Sequence, residues 1–275
     1  MNARTQTFEL TVEGRQVDEA VASIFHTVLF HRSLGKFCYK QEGSYSVGTV
    51  GYEDVDCDFI DFTYVCCSSE NLDKTLKKEI SGFSEALREN DGPRSGQISL
   101  EFFQKKKNVF WTTECIPWEV WNVRLELIKL TSEHERQLCR EKLGDLLTDK
   151  ILYIADVMNK HEYVPKMPNQ SELDLIFDTT YPDVQPYLFK ENKSLSDKKN
   201  YSSHSLNRVQ LEAQTFITDQ RELIELLERR EKLVLQPLSS HKIPPRNDRR
   251  PLSFSALILL MWAVKKRSRN YGKTL

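Results

Sequence analysis

Residues 118–135 read WEVWNVRLELIKLTSEHE. Trp121, Val123, Leu125 and Leu127 alternate with Asn122, Arg124 and Glu126, the period-two pattern of a strand with one apolar face. The alternation begins at Glu119. Ser132-Glu133-His134-Glu135 then has the form of a capping box, in which a serine and a glutamate three residues on satisfy the first amides of a helix. Leu138, Leu146, Leu147, Ile151, Ile154 and Met158 carry that helix toward Pro165. Upstream, Ile98, Leu100 and Phe102 alternate as another strand that ends near Gln104. Between the two strands lies KKKNVFWTTECIP (105–117), where Val109, Phe110, Trp111 and Thr112 follow neither a helical nor a strand period. The expectation is a loop tip carrying an exposed pair of large aromatics.

Toward the N-terminus, Phe8, Leu10 and Val12 alternate as a strand that Gly14 ends. Val17, Ala20, Val21, Ile24 and Val28 then recur at helical spacing up to His31. GKFCYKQEGSYSVGTVG (35–51) reads as a hairpin with its turn at Gln41-Glu42-Gly43. DCDFIDFTYV (56–65) reads as one further strand whose alternation slips between Phe59 and Ile60, which predicts a bulge or burial on both faces. Ser69 caps a second helix with the stripe Leu72, Leu76, Ile80, Phe83 and Leu87, and NDGPRSG (90–96) stops it. The order is strand, helix, three strands, helix, two strands, helix, without a recurring βαβ unit. That order predicts an α+β fold, an antiparallel sheet with three helices packed on it.

The 275 residues carry a net charge of -1, but unevenly. Residues 191–275 hold 17 Lys+Arg against 9 Asp+Glu, leaving 22 against 31 for residues 1–190. The chain therefore divides into a domain at 1–190 and a basic tail at 191–275. The tail reads as a polar linker, one helical stretch at 206–235 and a short apolar run at 252–264, partly helical or disordered. That run is shorter than the ~20 residues a spanning helix needs. Six cysteines without a CxxC pair, and no leader pattern at the start, predict free thiols in a reducing cytosol.

No phosphate-binding loop, nucleophile elbow or zinc-protease pair is present, and no nucleophile-base-orienter set stands out. Asp54, Asp56 and Asp58 match the first positions of a calcium loop. Phe59 then stands where its turn glycine belongs and Val65 where its bidentate glutamate belongs, so they read as solvated strand carboxylates. His26 and His31 do not share a helix face and read as surface groups. Neither an enzyme nor a cofactor or metal is expected. Lys105 to Lys107 read as a solvated edge that discourages aggregation rather than as a nucleic-acid contact.

VDCDFIDFTYV (55–65), SLEFFQKKK (99–107), ECIPWEVW (114–121), MNKHEYVPKMP (158–168) and FDTTYPDVQPYL (177–188) together resemble the autophagy-related protein 101 family. These are HORMA-domain subunits of the autophagy initiation kinase complex. The resemblance runs from about residue 8 to Lys190. It implies a HORMA-like fold and a non-enzymatic adaptor that pairs with the HORMA domain of autophagy-related protein 13, within the complex built on the Unc-51-like kinase. It also implies a cytoplasmic protein recruited to the phagophore assembly site, and a protruding finger that recruits downstream factors. The finger falls on Val109, Phe110 and Trp111, where the family reads Trp-Pro-Phe; the order is altered and the proline absent. Phe30, His31 and Arg32, at the end of the first helix, are the candidate heterodimer surface, against the alternative of an ordinary solvated helix end. KENKSLSDKK (190–199) replaces the family's last strand, which predicts an open sheet edge. The alternative reading is a peripheral membrane protein whose basic tail docks on anionic lipid.

Overall fold

The alternating run at 119–127 lies in the interior of a four-stranded sheet. The computed structural model describes residues 3–41, 44–89, 95–107, 113–158 and 163–196. In it β1 (Arg4–Glu13) runs parallel to β8 (Thr113–Ile128), with Phe8 opposite Val123 and Leu10 opposite Leu125. On its other side β8 pairs antiparallel with β7 (Ser95–Lys107), and β7 pairs antiparallel with β10 (Phe189–Ser196). The order is β1-β8-β7-β10. The sheet is thus mixed, which corrects the expectation of an antiparallel one. Alternation reports which face a residue takes, not strand direction, and the long connection from β1 back to β8 permits the parallel pairing.

One face of the sheet is buried and the other is polar. Phe8, Leu10, Val12, Ile98, Leu100, Phe102, Trp121, Val123 and Leu125 face the core. On the outer face Arg124 donates to Gln97, Gln97 to Asn122 and Asn122 to Thr7, a lateral chain of hydrogen bonds across three strands. Three helices cover the inner face. In α1 (Val17–His31) every residue from Ala20 to Leu29 is buried, because α2 (Glu70–Arg88), α3 (Glu133–Met158) and strand β6 (Thr63–Cys67) all pack on it. Its amphipathic reading therefore understates its burial. His26, expected at the surface, is internal and stacks on Tyr64 at 5.6 Å.

All five residues of the α2 stripe are buried, as expected. Its cap differs: the Ser69 hydroxyl donates to Asp183 instead of accepting from the helix. In α3 the capping box is present, with the Glu135 amide donating to Ser132 Oγ at 3.1 Å and the Ser132 amide to Glu135 Oε2 at 3.1 Å. Of its apolar run, Leu138 is exposed.

The remaining strands are short. β2 (Ser33–Gly35) pairs with β9 (Val184–Pro186). The expected hairpin is β3 (Phe37–Gln41) with β4 (Ser44–Val47); Glu42 and Gly43 of its turn lie outside the described residues. The span 56–65, expected as one strand, is instead the end of β5 (Tyr52–Asp56), a connection and the start of β6, which pair as another hairpin. The slip at Phe59 and Ile60 marks the connection rather than a bulge. Glu19 of α1 accepts from the amides of Asp58 and Phe59, and Gln16 donates to the Phe59 carbonyl, so side chains replace the ladder there. Helix α3 lies so close to this connection that a Cβ at Gly144 would stand 2.6 Å from the Asp61 carbonyl oxygen.

The expected linker from Glu191 is also corrected, because Phe189–Ser196 forms β10 and closes the edge that was expected to be open. Its inward positions are unusual for a strand under a helix. Glu191 lies opposite Leu100 and Lys193 opposite Ile98, and Lys193 reaches Glu79 of α2 at 2.8 Å. Such inward charges keep an edge from recruiting further strands.

Among the described residues no helix is long and apolar enough to cross a membrane. The 206–235 and 252–264 segments read from the sequence lie outside the described residues.

Candidate functional site

Strands β7 and β8 outrun their neighbours. β1 begins its pairing at Arg4 opposite Glu119, and β10 begins at Phe189 opposite Phe102. Beyond those points, among the described residues, Phe103 to Lys107 form a ladder only with Thr113 to Pro117, so the hairpin leaves the sheet as a two-stranded arm. Residues 108–112 at its end, which include Val109, Phe110 and Trp111, lie outside the described residues. The arm carries Lys106, Glu114 and Cys115 on its exposed surface.

At the root of the arm the register shifts. Phe102 faces Glu119 but Phe103 faces Pro117, so Trp118 is an extra residue on β8, a β-bulge. Glu119 faces the core by the alternation of β8, and the bulge adds Trp118 to the same buried side. Trp118 packs against Phe102 at 5.6 Å and Tyr187 at 5.3 Å between ring centroids. Glu119 is only 1% exposed, and a carboxylate so deep needs a partner.

Arg32 supplies it from the end of α1. Its Nε donates to Glu119 Oε2 at 2.6 Å and its Nη2 to Oε1 at 3.1 Å, a two-point pairing. Tyr163 completes the cluster: its hydroxyl donates to Glu119 Oε1 at 2.9 Å and accepts from Arg32 Nη2 at 2.9 Å. Burial, with the Glu119 carboxylate beside it, pushes the Tyr163 phenol up to about 12. The guanidinium carbon also lies 5.7 Å from the centre of the Trp118 ring, and the Arg32 carbonyl accepts from the Tyr187 amide. One cluster therefore ties α1, the arm root and the segments at 163 and 187.

Arg32 is thus turned into the fold and does not present its guanidinium to solvent, unlike the surface role expected of it. Phe30 and His31 are half-buried; Phe30 packs edge-on to the exposed ring of Tyr52, with 6.5 Å between centroids. Glu119 and Tyr163 were not among the expected site residues. For Glu119 the signal was present, since it has the same parity as Trp121, Val123 and Leu125. A carboxylate in core register calls for a buried cation.

The cysteines divide by position. Cys66 and Cys67 are buried, and burial pushes their thiols up to about 11 and about 12. Cys38 and Cys115 are exposed free thiols.

The family model described as autophagy-related protein 101 matches residues 9–171, which contain the arm, its bulge and all three cluster residues. The chain belongs to the autophagy-related protein 101 family. It is 58% identical to autophagy-related protein 101 of Homo sapiens over 198 residues, covering 72% of this chain and 91% of that protein. To its counterpart in Xenopus tropicalis it is 56% identical over 198 residues, with the same coverage of 72% and 91%. The likeness extends to plants: autophagy-related protein 101 of Arabidopsis thaliana is 27% identical over 206 residues, covering 67% of this chain and 89% of that protein. Membership in the autophagy-related protein 101 family makes this an autophagy-related protein.

Proposed function

We propose that the chain is a non-enzymatic, HORMA-like adaptor of the autophagy initiation kinase complex. It pairs with the HORMA domain of autophagy-related protein 13 and presents Val109, Phe110 and Trp111 at the end of the arm to downstream factors. The observation that carries this reading is the arm itself. Five consecutive residue pairs extend past both neighbouring strands, and the connection between them holds two of the largest apolar side chains. Each ring is worth roughly 1.5–3 kcal/mol when buried in a partner, the scale of an interface hot spot.

Pairing engages Phe30 and His31 at the end of α1, with Arg32 acting behind them from inside the fold. The complex assembles in the cytoplasm and acts at the phagophore assembly site. The test is the double substitution Phe110→Ala and Trp111→Ala. Its melting temperature and its capture by the partner HORMA domain should match the parent, while capture of downstream factors and autophagosome formation are lost. A double variant that loses several kcal/mol of stability, as core aromatics do on truncation, would show that the rings pack inside and would sink the finger reading.

A further inference from the structure

We propose that Arg32, Glu119 and Tyr163 are positioning residues that set the direction in which the arm leaves the sheet. A two-stranded ribbon held only by its own ladder twists and bends readily, and a bulge at its base adds a point of bending. The root of this arm is such a place: Trp118 is the extra residue, and no third strand supports the ladder beyond Phe102 and Glu119 among the described residues. The root is nevertheless held from several directions. Glu119 uses both carboxylate oxygens, on Arg32 and Tyr163, which fixes the plane of the carboxylate as well as its place. Trp118 lies between the Phe102 and Tyr187 rings under the Arg32 guanidinium. The Phe103 amide, first residue of the free ribbon, donates to the Leu188 carbonyl at 3.0 Å.

An apolar contact could hold the root in place equally firmly, but without defining an orientation. Paired donors on a planar guanidinium facing a planar carboxylate do define one. The cluster also begins one residue after His31, so the end of α1 and the arm share a single rigid joint. The functional consequence rests on the adaptor reading: an arm that points in one direction meets its partner without first losing orientational freedom.

The experiment places spin labels on the two exposed thiols, Cys38 on the body and Cys115 on the arm, in the full chain with Cys57 and Cys139 replaced by serine. Pulsed dipolar spectroscopy then reads the distance distribution between them. One narrow distribution is expected for the parent. Glu119→Gln should broaden it. The informative variant is the pair Arg32→Met with Glu119→Leu, since a buried ion pair replaced by apolar groups commonly keeps or gains stability. It should melt as high as the parent yet keep the broadened distribution. An unchanged distribution in Glu119→Gln would overturn the proposal, as would a pair variant whose distribution narrows back as its stability returns; the cluster would then be structural only. Capture of downstream factors is measured in parallel. Broadening in the variants together with no capture by the parent chain supports the positioning role while removing the adaptor reading of the arm.

Discussion

At the scale of single residues, two buried polar groups dominate. Glu119→Gln keeps the shape of the side chain but leaves the Arg32 guanidinium charged, buried and half-paired. Breaking a buried ion pair from one side costs about 3–5 kcal/mol, so urea unfolding at pH 7 should show a loss of that order. A loss below about 1 kcal/mol, the level of an exposed pair, would mean that water reaches the guanidinium. His26 makes the second case. Burial holds its imidazole down to about 4, against an ordinary value of 6.5, with Asp73 at 3.5 Å only partly opposing the shift. The unfolded chain thus takes up a proton near pH 6.5 that the folded one refuses until about pH 4. The stabilisation is complete above 6.5 and is lost as pH falls toward 4. By linkage the His26 contribution should drop by about 2 kcal/mol between pH 7 and pH 5. Comparison of the parent with His26→Phe at both pH values isolates it. Equal pH slopes for the two proteins would count against a buried neutral imidazole.

At the scale of elements, β10 is the strand with the weakest grounds for forming. Two of its inward positions carry charge, and Glu191 Oε1 is buried with no hydrogen-bond partner among the described residues. Burial raises the Glu191 carboxyl above its ordinary range, so at neutral pH the strand is held at a cost. Glu191→Val sets a β-branched side chain opposite Leu100 and removes that cost. It should raise stability by about 1 kcal/mol, read as a higher denaturant midpoint. The same change should increase self-association at high concentration, because the inward charge no longer guards the edge. Lower stability in Glu191→Val would indicate that the carboxylate has a partner in solution.

At the scale of the whole molecule, the proposed pairing has a thermodynamic consequence. A partner that binds only the folded state at 100 times its dissociation constant adds about 2.7 kcal/mol. For a body of this size each kcal/mol moves the melting temperature by roughly 2–4 °C. Saturating HORMA domain of autophagy-related protein 13 should therefore raise the melting temperature of the full chain by about 5–10 °C. A superimposable melting curve would argue against the pairing.

The sequence by itself determined the elements whose periodicity is imposed by burial on one side. The α2 stripe, the strand at 119–127 and the Ser132–Glu135 cap form as read, because in each a local pattern is sufficient: spacing selects the face, and a side chain three residues away closes the helix end. Five separated blocks also sufficed for the family. What only the tertiary structure decided depends on pairs far apart in the chain. Strand direction is invisible to alternation, so the parallel β1–β8 pair could not be read. The break at Phe59 and Ile60 depends on Glu19 and Gln16, some forty residues away, which take over the backbone amides and carbonyl of the turn. β10 forms despite its polar composition because β7 offers it a ladder. Arg32 shows the difference most plainly. From its neighbours it reads as a solvated helix end, and only the folding of β8 against the end of α1 brings Glu119, 87 residues on, to 2.6 Å from it. A buried charge is defined by what surrounds it in space, and that environment is assembled only when the chain closes on itself.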